Sequence, residues 1–245
     1  MALSLSYYCV GDGDAICEEI LGLLSMFSNE AIKERGIFRV GVSGNKQDQL
    51  HISATDAALP LVKVMLFMFV IVPGGSIADI LAEGMYDIRT DFNKWQVFFC
   101  DERIVPVNDK DSTYGVFERD LLDYRTNVPK SAFFPVNCSL SPAEAAAEYE
   151  RTIRKAFNME NTTDIPSFDL LILGIGPDGH TASLFPGHPL LDEKTKLIAP
   201  VMDSPKPPPN RVTMTYPLIN NAKICMFGAQ GKSKADILKV GTTCE

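Results

Sequence analysis

The chain has 245 residues, 46% of them hydrophobic and 22% charged, which suits a soluble α/β domain with a sizeable core. A formal net charge of −8 at pH 7 argues against nucleic acid or an acidic membrane surface as a general partner. A small anionic substrate stays open, provided that Arg, Lys and backbone N–H groups gather locally to receive it.

The start, MALSLSYYCVGDGDAICEE, has no basic n-region and soon turns acidic, so it does not read as a secretory signal. Cys9, Cys17, Cys100, Cys138, Cys225 and Cys244 form no CxxC pair and have no His at metal spacing. Reduced, mostly buried thiols in a cytoplasmic, metal-free protein are expected.

Residues 15–34 carry Ile16, Ile20, Leu21, Leu23, Leu24 and Phe27 near a 3.6-residue period, with acids early and Lys33 and Arg35 late. That pattern predicts an amphipathic helix, stopped by Gly36. Residues 37–42 predict a buried strand closing on Ser43-Gly44, the way a strand ends before a phosphate-cradling turn. The helix start such a turn needs comes only at GGSIADILAEG, with Ser76 as N-cap and Ile77, Ile80 and Leu81 on one face. Residues 95–100 predict a second strand, and a helix is expected around 114–124. Ser141-Pro142-Ala143-Glu144 is a capping box with Pro at the first helical position, opening a helix through Phe157. Residues 168–176, 211–217 and 224–230 predict three more strands, and a last helix is expected from about Ser233. DSPKPPPN, residues 203–210, reads as a proline-rich loop. Strands apolar on both faces and alternating with helices imply one doubly wound, mostly parallel α/β domain spanning 1–245, Rossmann-like, with helices on both faces.

Ligands of such sheets bind at the carboxyl ends of the strands. The residues placed there are Ser43-Gly44, Asp101-Glu102-Arg103, Asp178-Gly179-His180 and Gly231-Lys232-Ser233-Lys234. All four groups are polar, which is the residue-level case for one site. His51 and His188 read as ordinary solvated or structural side chains.

The stretch LGIGPDGHTASLFPGHP, residues 173–189, resembles the signature of 6-phosphogluconolactonases within the glucosamine-6-phosphate isomerase and lactonase family. DER at 101–103, RVTMTYPLINNA from Arg211 and GKSKA from Gly231 resemble that family in the same order. The resemblance implies hydrolysis of 6-phospho-D-glucono-1,5-lactone to 6-phospho-D-gluconate in the oxidative pentose phosphate pathway, with no cofactor and no metal. Its partner is a sugar-phosphate lactone, with no nucleic acid and no membrane, and a monomer is expected. His180 is then the base that activates water and returns the proton to the leaving ring oxygen, and Asp178 orients the imidazole, directly or through the loop backbone. Ser43, Gly44, Gly75, Ser76, Arg103, Arg211 and Lys234 are implied to bind substrate, chiefly its phosphate. Asp101 and Gly179 are implied in support. Lys232 reads as solvated, because the family's Gly-x-x-Lys-Ala pattern falls on Lys234. The alternative for Arg103 is an ion pair with Glu102 or Asp101. The related deaminases carry a Glu after the histidine, in a loop resembling DGHIAFNEP; here DGHTASLFP has none, which favours the lactonase.

Joining Gly44 to Gly75 regenerates FRVGVSGGSIADILAEG, a clean strand–turn–helix. Residues 45–74 therefore read as an atypical insertion, either a retained intron or a genuine one. Closing it costs only about 3 kcal/mol. Its apolar run at 59–72, however, forgoes on the order of 12 kcal/mol if left in water, so it must find a partner surface. The family pattern also continues past SKADILKV, so the C-terminus reads as short. Both departures open a different reading, an impaired isoform that at most binds sugar phosphates. A misfolded product with no role is the further alternative.

Overall fold

A computed structural model describes residues 6–10, 13–43, 64–69, 88–119 and 128–229. In chain order the elements are β1 (Ser6–Val10), α1 (Gly13–Arg35), β2 (Phe38–Val42), β3 (Val64–Phe69), β4 (Trp95–Phe99), β5 (Asp101–Arg103), α2 (Thr113–Phe117), β6 (Phe133–Phe134), α3 (Pro142–Ala156), β7 (Leu170–Gly174), β8 (Ile198–Val201), β9 (Arg211–Met214), α4 (Tyr216–Ile219) and β10 (Cys225–Ala229). Seven strands form one sheet in the order β1-β3-β10-β7-β2-β4-β6, and every pairing is parallel. The doubly wound parallel class expected from the sequence is what the fold shows.

The strands are mostly apolar because both faces of the sheet are covered. Leu170 and Ile172 of β7 join Val40, Val42, Val97, Phe99 and Leu24 of α1 in one buried cluster. Leu171 and Leu173 point the other way and join Phe98, Phe227 and the α3 residues Tyr149 and Ile153 in a second. α1 ends where expected: Gly36 takes φ +76° and its N–H donates to the Ile32 carbonyl at 2.8 Å. α3 begins on the expected capping box, with Ser141 and Glu144 bonding each other's backbone. β6 pairs only with Val97 and Phe98, so Phe99 lies past its end. There the buried Tyr149 hydroxyl accepts from the Phe99 N–H at 2.7 Å and donates to its carbonyl at 3.2 Å.

Two findings differ from the sequence reading. Residues 211–214 do not join the parallel sheet. After Cys100 the chain continues as β5, which pairs antiparallel with β9, and β9 pairs antiparallel with β8, making a separate three-stranded sheet. The strand expected to reach residue 217 stops at Met214, and Pro217 sits inside the short α4, where its fixed φ suits a helical first turn. The second finding concerns the insertion. Val64–Phe69, inside 45–74, is an interior strand, in register with β1 on one side and β10 on the other. For Val64–Phe69, the partner is the sheet itself. The helix expected from Ser76, the expected C-terminal helix and the short C-terminus lie outside the described residues.

Candidate functional site

The three strands that carry the site are neighbours, β7-β2-β4. From β2 the sheet grows outward through β4 to β6, and from β7 it grows the other way through β10. Their junction is therefore where strand order reverses, and crevices open at such points. Ser43 leaves β2, Asp101 leaves β4, and the loop 175–183 leaves β7.

Buried Asp101 ties these ends together: its Oδ1 accepts from the Ser43 hydroxyl at 2.8 Å and its Oδ2 from the Ser183 hydroxyl at 2.9 Å. Ser183 itself escaped the sequence reading. Glu102 faces away from this crevice and holds the next loop, accepting from the backbone N–H groups of Arg103, Thr113 and Tyr114 at 2.8, 2.6 and 2.7 Å. Burial pushes its carboxyl up to about 7, against the downward pull of those three N–H donors.

The turn after β7 aims the histidine. Gly179 adopts φ +85°, and the Gly176 N–H donates to the His180 carbonyl at 2.7 Å, closing the loop on itself. Gly176 has no room for a side chain, since a Cβ there lies 2.0 Å from His180 Nδ1 and 2.6 Å from Asp178 Oδ1. His180 is buried and stacks on Phe185 with ring centroids 4.7 Å apart. Its Nδ1 lies 2.5 Å from Asp178 Oδ1, so Asp178 meets the imidazole directly. Burial raises the Asp178 carboxyl, but the His180 hydrogen bond and charge and then the Lys206 ammonium outweigh it, holding the group well below the ordinary carboxylate range. An ionised Asp178 requires the proton on Nδ1, which leaves Nε2 as the ring's basic nitrogen.

Lys206, in the proline-rich loop, was not singled out from the sequence. Its Nζ lies 3.2 Å from Asp178 Oδ1 and 3.3 Å from His180 Nδ1. The signal that it matters was available only indirectly, as a cation set among prolines just before a strand that begins with Arg211.

Arg211 is only 2% exposed, and its guanidinium holds that loop. Nη2 donates to the carbonyls of Lys206 and Pro207 at 2.9 and 3.2 Å, and Nε to that of Pro208 at 3.0 Å. Nη1 lies 3.4 Å from the Ser183 hydroxyl. Arg103 is paired in register with Arg211 across β5 and β9, and its Nη1 donates to the Asp111 carbonyl at 3.2 Å. Arg103 Nε and the hydroxyl of Thr181, next to His180, are buried with no hydrogen-bond partner among the described residues. Such atoms are rare in folded proteins.

Of the residues expected in the site, Ser43, Asp101, Asp178, Gly179, His180 and Arg211 converge here, and Arg103 joins through β5. Gly44, Gly75, Ser76 and Lys234 lie outside the described residues, as do His51 and Lys232. His188 is structural: its Nδ1 accepts from the Leu190 N–H at 3.1 Å and its Nε2 donates to Asp203 at 3.1 Å. Cys100, Cys138 and Cys225 are free thiols, and burial pushes the last two up to about 12, so they are inert at neutral pH. Among the described residues no group of three His, Cys, Asp or Glu is arranged to hold a metal ion, and no helix is long and apolar enough to cross a membrane.

A profile described as glucosamine-6-phosphate isomerases/6-phosphogluconolactonase matches residues 54–243. The chain belongs to that family. A probable 6-phosphogluconolactonase of Schizosaccharomyces pombe is 34% identical over 96% of this chain and 83% of its own length. The 6-phosphogluconolactonase of Homo sapiens is 46% identical over 68% of this chain. The match spans 65% of the human protein's length, and the same share of the rat relative's. Among solved structures, the 6-phosphogluconolactonase of Thermotoga maritima superposes with a TM-score of 0.72 at 26% identity, covering 98% of this chain and 91% of that one. The lactonase from Trypanosoma cruzi shares the fold, with a TM-score of 0.73 at 22% identity over 98% of this chain and 85% of that one.

Proposed function

We propose that this protein hydrolyses 6-phospho-D-glucono-1,5-lactone to 6-phospho-D-gluconate. The observation that carries the reading is the direct Asp178 Oδ1–His180 Nδ1 contact, set at the β2/β7 junction. Nε2 of His180 takes a proton from water as the water oxygen attacks the lactone carbonyl carbon. The tetrahedral oxyanion then collapses, the bond from that carbon to the ring oxygen breaks, and the imidazolium returns its proton to that oxygen. General base and acid work by one histidine is worth about 10² to 10⁴ in rate.

Arg103, with a buried Nε that has no hydrogen-bond partner among the described residues, is the best-placed described cation for an anionic group of the substrate. Arg211 spends Nε and Nη2 on loop carbonyls, so its contribution to phosphate binding is indirect unless that loop opens. Ser43 is held by Asp101 beside the same crevice, while Gly44, Gly75, Ser76 and Lys234 remain part of the proposed phosphate site on the sequence resemblance alone. The loop after His180 reads Thr-Ala-Ser-Leu-Phe-Pro and brings no carboxylate to the ring, which supports a lactonase over a deaminase. A monomeric protein of the cytoplasm completes the reading.

The test is lactone hydrolysis by the purified protein with the spontaneous rate subtracted, beside His180→Ala. The expected outcome is turnover that the substitution lowers at least 100-fold. Binding of 6-phosphogluconate without turnover favours the silent sugar-phosphate binder, and release of ammonia from glucosamine 6-phosphate favours the deaminase.

A further inference from the structure

The third member of the Asp178–His180 cluster carries an inference of its own. An ammonium and a protonated Nδ1 are both donors and cannot bond each other, yet Lys206 Nζ sits 3.3 Å from Nδ1. Both groups instead converge on one acceptor, Asp178 Oδ1, at 3.2 and 2.5 Å. That geometry sets two opposed fields on the ring. Asp178 favours the imidazolium, and a cation at 3.3 Å disfavours it. Among the described residues, the Arg211 guanidinium lies 5.6 Å from the far ring of the stack, Phe185, and Asp101 meets the loop through Ser183.

The lysine's position is built rather than incidental. Prolines at 207–209 offer carbonyls but no N–H, so their oxygens are available to an external donor. Arg211, deeply buried at the start of β9, supplies it by gripping the carbonyls of Lys206, Pro207 and Pro208. A second anchor lies upstream, where the Ser204 hydroxyl donates to the Lys206 carbonyl at 2.8 Å and accepts from the Lys206 N–H at 3.3 Å. The backbone that bears the ammonium is thus fixed on both sides.

We propose that Lys206 is a positioning residue, held by Arg211, whose ammonium fixes the Asp178 carboxylate on Nδ1 and keeps the imidazole neutral, so that Nε2 is available as a base near neutral pH. Asp178 alone would orient the ring but would also favour the imidazolium, which cannot activate water. Lys206 offsets that effect while preserving the orientation. Its part in catalysis rests on the lactonase reading; its effect on the ring does not.

The experiment therefore has two readouts. The first follows the His180 ring by ¹H–¹⁵N NMR across pH 5 to 9 in substrate-free wild type, Lys206→Met and Lys206→Arg. The second follows kcat/KM for the lactone over the same range. Lys206→Met is expected to move the His180 midpoint, and with it the acid limb of kcat/KM, to higher pH by roughly one unit. That costs about tenfold below pH 6 and recovers by pH 8 to 9, while Lys206→Arg keeps the midpoint close to wild type. An unmoved midpoint in Lys206→Met overturns the proposal, as does a loss confined to KM at every pH, which would make Lys206 a substrate contact. A midpoint that moves in a protein with no lactone turnover sustains the inference about the ring and sinks the lactonase reading.

Discussion

Both ends of β7 carry an aspartate held by cations, and they are built for different purposes. At the amino end, buried Asp169 accepts from Arg35 Nη2 at 2.8 Å, Lys223 Nζ at 2.8 Å and the Arg39 N–H at 2.9 Å. These donors are a guanidinium, an ammonium and a backbone amide, with no imidazole among them. The cluster ties the end of α1, the start of β2 and the approach to β10 to one carboxylate. At the carboxyl end, among the described residues, Asp178 meets the Lys206 ammonium and the His180 imidazole. The same acid with a permanent partner is a clamp; with an exchangeable proton beside it, it becomes a place for chemistry.

The largest expected effect comes from the flank that holds β7 in place. β10 lies between β7 and β3, and β3 falls within the segment 45–74 read from the sequence as an insertion. Deleting residues 45–74 restores a continuous strand–turn–helix sequence at Gly44-Gly75 but removes the parallel ladder joining β10 to β1. Two unpaired strand edges result. We expect the melting temperature of the deletion to fall by more than about 10 °C, with both aspartate clusters lost together in one transition. A deletion that melts like the full chain, and hydrolyses the lactone faster, would return the segment to the status of an interruption.

Next is Gly176→Ala, which acts on the carboxyl-end cluster alone. Its Cβ cannot coexist with an imidazole 2.0 Å away, so His180 must leave Asp178 and Lys206. About 1–3 kcal/mol of stability is expected to go, from overpacking, and roughly 100-fold of kcat, from a misplaced base. Urea unfolding with parallel assays separates the two; retained kcat means that His180 is not the base.

A smaller effect follows from the depressed Asp178 carboxyl. A group whose folded value lies below its ordinary 3.8 adds stability that is fully present above that pH and is lost as the pH falls through the folded value. Wild type should therefore lose about 1–2 kcal/mol more than Asp178→Asn between pH 5 and pH 2.5, read from urea midpoints. Equal losses in the two proteins would mean that the Asp178–His180–Lys206 contacts contribute nothing to stability.

Local patterns carried the sequence reading far. Strands apolar on both faces, the Ser141–Glu144 box and the glycine stop of α1 each depend on neighbours a few residues away, and each lies where expected. His180 and Asp178 were legible because two residues and a glycine turn suffice to join them. The antiparallel sheet was not. Asp101-Glu102-Arg103 is short and fully polar, and it is a strand only because β9, more than 100 residues later, pairs with it. The loop that Arg211 holds, and Lys206 within it, were not legible for the same reason. Arg211 looked like an anion binder, and its burial against three carbonyls cannot be read from spacing. Lys206 touches Asp178 and His180 across 26 to 28 residues of chain. The insertion was recognised as apolar and in need of a partner, but not that the partner was an open position between two strands.

The smallest predicted effect separates the two aspartates most cleanly. Lys223 and Lys206 make similar contacts with their carboxylates, at 2.8 and 3.2 Å. The Lys223 side chain is 43% exposed, however, and Asp169 keeps Arg35 and the Arg39 N–H when it is removed. An exposed ion pair in water contributes about 0–1 kcal/mol and is screened by salt. Lys223→Met should therefore cost less than about 0.5 kcal/mol, shrinking further at 0.5 M salt, and leave the pH profile of hydrolysis where it was. Lys206→Met removes a comparable contact yet should move that profile, because its partner carries a proton that the reaction needs. If the two substitutions prove alike, in stability and in pH dependence, then the two ends of β7 are the same kind of clamp, and the chemistry must be sought elsewhere in the crevice.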